Sequence, residues 1–142
     1  MLFVDCHAHA FPDALAERAV PQLAAEGGIQ PHVSGKVADL QRAMDAAGVT
    51  HCVIASIATK PEHFRSILDW SLAIASPRLI PFGSVHPDDP DAAAHVHAIA
   101  DAGLRGVKLH PYYQKFAIDE RRLEPIWRAV SDTGLLLLLH TG

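Results

Sequence analysis

The stretch Leu2-Phe-Val-Asp-Cys-His-Ala-His9 decides the fold, because a short apolar run ends there in two histidines. Residues i and i+2 of a strand point to the same side, so His7 and His9 present two imidazoles on one face. Pro12 ends the run, which places the pair at the carboxyl end of a first strand. Parallel α/β folds hold their active sites at that end. The pattern indicates a metal site, against the alternative of two polar residues at a strand end.

The same alternation predicts which face of the strand the two preceding residues, Asp5 and Cys6, occupy. Asp5 shares the parity of His7 and His9, and we expect it one layer deeper in the strand. Its carboxylate would either accept a hydrogen bond from a ligand imidazole or satisfy backbone groups, and the sequence leaves both roles open. Cys6 has the opposite parity, so we expect it to face the helices as a small hydrophobic residue.

The rest of the chain repeats an apolar run, a polar turn and an amphipathic helix, which predicts a parallel sheet covered by helices. The segment 11–35 is long for a connection, and its part 13–26 has a composition compatible with a further helix. The predicted strands cover residues 2–6, 49–57, 79–85, 106–109 and 135–139. Helical spacing covers residues 37–47, 61–72, 89–102 and 123–133.

Two later strands also end in polar residues. His140 follows five leucines and is expected at the same mouth as His7 and His9, where three imidazoles suit zinc with one open position. Lys108 lies in an apolar strand and shares a face with His110, which begins a pocket wall that continues to Gln114. Because an unpaired buried ammonium is costly, Lys108 is interpreted as a substrate-anion site, a carbamylated lysine bridging two metals, or the partner of a carboxylate.

The other histidines carry a weaker signal. His86 ends the third predicted strand before a proline, which repeats the pattern without a second polar neighbour. The remaining five are interpreted as surface or packing residues: His32, His51, His63, His95 and His97.

The composition limits the class of protein. Lys and Arg number 12 against 16 Asp and Glu, a net charge of −4, so we expect neither a nucleic-acid nor a membrane partner. Hydrophobic residues make up 49% and charged residues 20%, which excludes a disordered chain. Cys6 and Cys52 lie in apolar runs, so we expect no disulfide and a cytoplasmic location. The expected partner is a small-molecule substrate.

Three blocks give the chain a resemblance to a known family: residues 5–9, 106–111 and 135–142, in that order. The chain resembles the amidohydrolase superfamily of metal-dependent hydrolases. The stretch Leu123-Glu-Pro-Ile-Trp127 is typical of the branch grouped with aminocarboxymuconate-semialdehyde decarboxylase. The resemblance implies a TIM (β/α)8 barrel with a divalent metal, expected to be Zn²⁺, at its carboxyl mouth.

The resemblance also implies site residues and an activity. His7, His9 and His140 match the metal ligands of the first and fifth strands, and Lys108 aligns with the fourth strand. Together with His110, Lys108 is assigned a catalytic role. The implied reaction is hydrolysis, in which metal-activated water attacks a carbonyl or related centre of a small molecule.

The length departs from the family pattern. The family also uses a histidine after strand six and an aspartate ending strand eight, and such a barrel needs about 250 residues. We therefore expect residues 1–142 to form one domain, the amino-terminal part of this barrel, truncated after about five strands and four main helices. Activity of these residues alone is then doubtful.

Three alternatives stay open. A decarboxylase or hydratase of the same family would use the same site. A non-catalytic half-barrel would bind metal or oligomerise, because the strand at 135–139 leaves a long apolar edge for a second copy or the remainder of the barrel. An open doubly wound sheet fits the number of strands but leaves no lumen to receive Lys108.

Overall fold

The computed structural model describes residues 1–141 of the chain as strands alternating with helices. All the predicted strands are present, and the long segment after the first strand contains a helix of its own. The strands are β1 (Val4–Ala8), β2 (His51–Ala55), β3 (Leu79–Phe82), β4 (Gly106–Leu109) and β5 (Leu136–Leu139). The helices are α1 (Asp13–Gly27), α2 (Val37–Ala47), α3 (Phe64–Ile74), α4 (Ala92–Asp101), α5 (Pro111–Gln114) and α6 (Glu124–Thr133).

The strands are parallel and follow one another in chain order. β1 pairs with β2, β2 with β3, and β4 with β5. An isolated parallel bridge between Gly83 and Val107 continues this order from the end of β3 to β4. A doubly wound sheet reverses its strand order at a switch point, so the described strands do not follow that arrangement. Their carboxyl ends meet at one edge, which is called the mouth below.

β1 contains an irregularity that the sequence did not reveal. Asp5 is in register with Cys52 and Ala8 with Ile54, so β1 has one extra residue between these pairs. A bulge of this kind breaks the strict alternation of side chains. The expectation that Cys6 faces the helices is wrong, because Cys6 lies beside the bulge and is exposed.

The hydrophobic core positions the mouth. Val107 and Leu109 of β4 are fully buried in the cluster that includes residues of α3, α4 and α6. Alternation along β4 then places Lys108 on the opposite face, away from these helices. A second cluster, which includes Cys52 and Ile54, packs β2 against α2. Among residues 1–141, no helix combines the length and hydropathy needed to cross a membrane.

Gly106 permits the close contact between β4 and its neighbours, which gives a first prediction. A Cβ atom there would lie 2.4 Å from Cε2 of Phe82 and 2.7 Å from the backbone oxygen of Leu136. We expect Gly106→Ala to lower the free energy of unfolding by about 1–3 kcal/mol, because the sheet must shift to admit the methyl group. Urea denaturation followed by circular dichroism measures the change.

Gly27→Ala is the matched control. Its Cβ would come no closer than 3.5 Å to Ile29, so the substitution should leave stability unchanged or raise it by up to about 1 kcal/mol. Equal effects of the two substitutions would contradict the close packing at Gly106.

Candidate metal centre at the mouth

Five polar residues from three strands meet at the mouth: His7, His9, Lys108, His110 and His140. The ring centroids of His7 and His9 are 5.1 Å apart, and those of His7 and His140 are 5.7 Å apart. The rings of His110 and His140 stack at 4.1 Å. The Nζ atom of Lys108 lies 3.4 Å from Nε2 of His7. The structure thus brings together every residue that the sequence analysis assigned to the site, and we call this set the mouth cluster.

Asp5 supports the backbone of the cluster. Its Oδ1 atom accepts a hydrogen bond of 2.9 Å from the backbone N–H of His7. A bulge leaves the extra residue of a strand outside the regular ladder, and the carboxylate satisfies this donor. Of the two roles that the sequence left open for Asp5, the structure shows the backbone role.

Lys108 is buried without a carboxylate partner. Its residue surface is 0% exposed, and within residues 1–141 the structure shows no Asp or Glu within ion-pair distance of it. Burial disfavours the charged form and lowers the pKa of Lys108, and no neighbouring carboxylate offsets this effect. An ammonium group has donors only, so in its charged form Lys108 donates to the Nε2 lone pair of His7. The interpretation of Lys108 as the partner of a carboxylate is therefore not supported by the described residues.

The imidazoles of His7, His9 and His110 each have a lowered pKa. Burial lowers the pKa of His7, and the nearby charge of Lys108 adds to this effect. Burial, then His7 and Lys108, lower the pKa of His9 to about 4, although both histidines keep contact with solvent. Burial, then His140 and Lys108, lower the pKa of His110 to about 4. Neutral imidazole is the form that binds metal ions, so at neutral pH His7 and His9 each carry a ring lone pair that a metal ion can use.

The donors of the cluster are of a kind that binds zinc, and two of its ring separations fit a single zinc ion. Two imidazoles on one tetrahedral zinc ion have ring centres about 5 Å apart, given Zn–N bonds of about 2.0 Å. The pairs His7–His9 and His7–His140 have separations close to this value, at 5.1 Å and 5.7 Å. However, within residues 1–141 no three His, Cys, Asp or Glu side chains are arranged to hold one ion together. The assignment of His7, His9 and His140 as ligands stays a prediction.

Two further polar residues lie beneath the cluster. Ser84 accepts the N–H of Ala58 at 3.0 Å and donates to the carbonyl of Lys108 at 2.8 Å. Gln114 is 1% exposed and binds backbone groups of three different segments. Sequence reasoning missed Ser84 altogether and assigned Gln114 only to the pocket wall. The available signal for Ser84 was a polar residue within the apolar stretch 79–85.

The remaining histidines lie outside the cluster. His86 is buried, and its Nδ1 accepts the N–H of Asp88 at 3.1 Å in a local turn. His95 stacks on Phe64 at 3.7 Å and contacts a carboxylate oxygen of Asp89 at 2.7 Å, which is the packing role that the sequence analysis gave it. These contacts account for both rings without a metal.

The long connection after β1 forms a groove of its own. A cavity of about 770 Å³ lies between α1, the segment 31–36 and α2, and Glu17, His32 and Arg42 are among the residues that line it. Its lining contains none of the mouth cluster.

Comparison with known protein families supplies a further finding. A family model described as an amidohydrolase matches residues 4–142. This match extends from the first residue of β1 past the end of β5 and includes all five residues of the mouth cluster. No curated protein matches the chain.

Lys108→Met distinguishes between the functional interpretations of this residue. We expect zinc affinity to rise by about tenfold or more, because the buried ammonium repels a divalent cation and occupies the Nε2 lone pair of His7. Isothermal titration with zinc chloride measures the affinity, and Lys60→Met, at an exposed lysine, is the control. If zinc binding disappears in Lys108→Met alone, the result instead identifies a carbamylated lysine as a ligand.

Proposed function

This chain belongs to the amidohydrolase family, and from that premise we propose that it is a metal-dependent hydrolase acting on a small molecule. The observation that carries the proposal is the meeting of the His7, His9 and His140 imidazoles with the buried Lys108 at the carboxyl ends of β1, β4 and β5. Active sites of barrels built from parallel strands lie at this edge. The matched family model spans all the residues of the mouth cluster, which supports the proposal.

His7, His9 and His140 would hold the divalent ion, and Zn²⁺ agrees best with an all-imidazole donor set. Such an ion supplies a water of lowered pKa and polarises a substrate carbonyl. Asp5 fixes the backbone of His7 through its hydrogen bond of 2.9 Å, which would hold the His7 ring at the mouth.

Lys108 and His110 would contact the substrate. Lys108 brings a cation that the described residues do not neutralise, which favours an anionic group on the substrate. His110 is neutral at pH 7 and offers a hydrogen bond rather than a charge. Together they would orient an oxygen-bearing substrate against the metal site.

A lyase of the same family is the second candidate. The stretch Leu123-Glu-Pro-Ile-Trp127 resembles the branch that contains aminocarboxymuconate-semialdehyde decarboxylase, and the amidohydrolase family includes decarboxylases. In the structure Leu123 directly precedes α6 and Ile126 lies within it, and both are buried in the main core. Because these two residues pack rather than contact the mouth, the resemblance supports the branch without favouring one reaction over the other.

We also propose that further strands cover β1 and β5 in the working protein. Val4 is 45% exposed on β1, and Leu136 is 64% exposed on β5. β1 and β5 are the first and last strands in the observed order, so each has one edge without a partner strand among the described residues. A second copy of the chain or the remainder of a barrel would cover these apolar edges.

A cytoplasmic location is a further part of the proposal. Cys6 and Cys52 are both free, one exposed and the other buried. Free thiols of this kind fit a reducing compartment.

Metal content tests the proposed function directly. We expect the purified protein to carry about one zinc ion per chain by elemental analysis, and we expect His7→Ala to remove it, because the ring of His7 lies next to both other proposed ligands. His97→Ala, at an exposed histidine of α4, should leave the zinc content unchanged. A folded wild-type protein that takes up no metal would contradict the proposal.

The exposed edge of β5 predicts self-association of residues 1–142. Light scattering after size-exclusion chromatography should show species larger than a monomer, and Leu136→Lys should shift them toward the monomer, because a lysine on an edge strand opposes pairing. Leu72→Lys, at a leucine of α3 that is 43% exposed, is the matched control. A monodisperse monomer of the wild type would be evidence against an uncovered edge.

A further inference from the structure

Gln114 connects three segments beneath the mouth. Its side-chain oxygen accepts the backbone N–H of His110 at 2.8 Å. Its side-chain nitrogen donates to the carbonyl oxygens of Ala58, after β2, at 2.7 Å and of Val85, after β3, at 2.8 Å. The residue is buried, so these bonds are not exchanged with solvent. Gln114 therefore ties together the chain segments that follow β2, β3 and β4.

The same short helix determines the protonation pattern of the His110 ring. Nδ1 of His110 accepts the backbone N–H of Tyr113, at 3.4 Å, at the start of α5. A neutral imidazole has one nitrogen that accepts and one that donates. With Nδ1 used as the acceptor, the proton lies on Nε2. His110 then has no lone pair left for a metal ion, although it belongs to the mouth cluster.

His110 also determines the placement of its neighbour. Its ring stacks on that of His140 at 4.1 Å with an angle of 13° between the planes. The backbone N–H of His140 donates to the carbonyl of Leu109 at 3.3 Å, which continues the pairing of β5 with β4. The ring of His140 therefore rests on a platform whose position depends on Gln114.

We propose that Gln114 is a positioning residue, which holds His110 as an Nε2–H donor and as the platform for the His140 ring. The proposal rests on the proposed function in one respect, since it takes His140 as a ligand. His110 is then excluded as a ligand by its hydrogen bonds, although its ring lies close to that of His140. Its free N–H would bind an oxygen atom of the small-molecule substrate.

The proton position can be measured without any metal. In the metal-free protein labelled with ¹⁵N-histidine, long-range proton–nitrogen spectra distinguish the two neutral forms of each ring. We expect His110 in the wild type to show the Nε2–H form, with its signals assigned by their loss in His110→Phe. The Nδ1–H form in the wild type would overturn the proposal, whatever the stability of any variant.

Gln114→Met tests the positioning role, because methionine keeps the volume and removes all three hydrogen bonds. We expect the His110 signals to change to a mixture of the two neutral forms. Ser71→Ala is the control, since Ser71 is a buried polar residue on α3 whose hydroxyl has no partner among the described residues. An unchanged His110 spectrum in folded Gln114→Met would refute the role of Gln114.

Zinc titration supplies the second readout. Gln114→Met should weaken zinc binding by about 10- to 100-fold, the usual effect of losing a residue that orients a ligand. His110→Phe, which keeps an aromatic platform, should change the affinity less than His110→Ala. Equal losses in the Phe and Ala variants would refute the platform. If the wild type binds no zinc, the proposed function fails, while the metal-free spectra still decide how His110 is held.

Discussion

Two backbone hydrogen bonds at Gly83 hold the mouth cluster together. Its N–H donates to the carbonyl of Gly106 at 2.9 Å, and its carbonyl accepts the N–H of Lys108 at 2.8 Å. These bonds join β1–β3 to the pair β4–β5. They bring Lys108 to His7, which lies 101 residues away in the chain. A Cβ at Gly83 would lie 2.6 Å from the side chain of Ile99, so glycine here lets α4 pack against the junction.

In its charged form, the buried Lys108 would influence which ligands the mouth accepts. The ammonium is compensated in part by the Nε2 lone pair of His7, at 3.4 Å. A divalent ion on that nitrogen would remove this compensation and add repulsion between like charges. An anionic group placed between the two cations would reverse both effects. A protonated Lys108 would therefore favour a substrate that carries a carboxylate or another anion. A carbamate on Lys108 would satisfy the same requirement from within the chain.

The sequence predicted the features that depend on a local residue pattern. It missed the features that depend on pairing between segments distant in the chain. The apolar runs and the order of strands place His7, His9 and His140 at one edge, because parallel strands have aligned carboxyl ends. The exposure of Cys6 was not predictable in this way, since the bulge in β1 is defined only by its register with β2. The role of Gln114 was equally hidden, because its hydrogen bonds join segments that are distant in the chain.

The placement of donors at the mouth bears on the choice between hydrolysis and decarboxylation. In hydrolysis negative charge develops on a carbonyl oxygen, and a cation or an N–H beside that oxygen stabilises the transition state more than the substrate. In decarboxylation the carboxylate loses its negative charge as it departs as CO₂. A cation bound to that group would therefore stabilise the substrate more than the transition state. Lys108 and an Nε2–H of His110 on the reacting oxygen thus assist hydrolysis. They suit a lyase only when they hold a part of the substrate that does not depart.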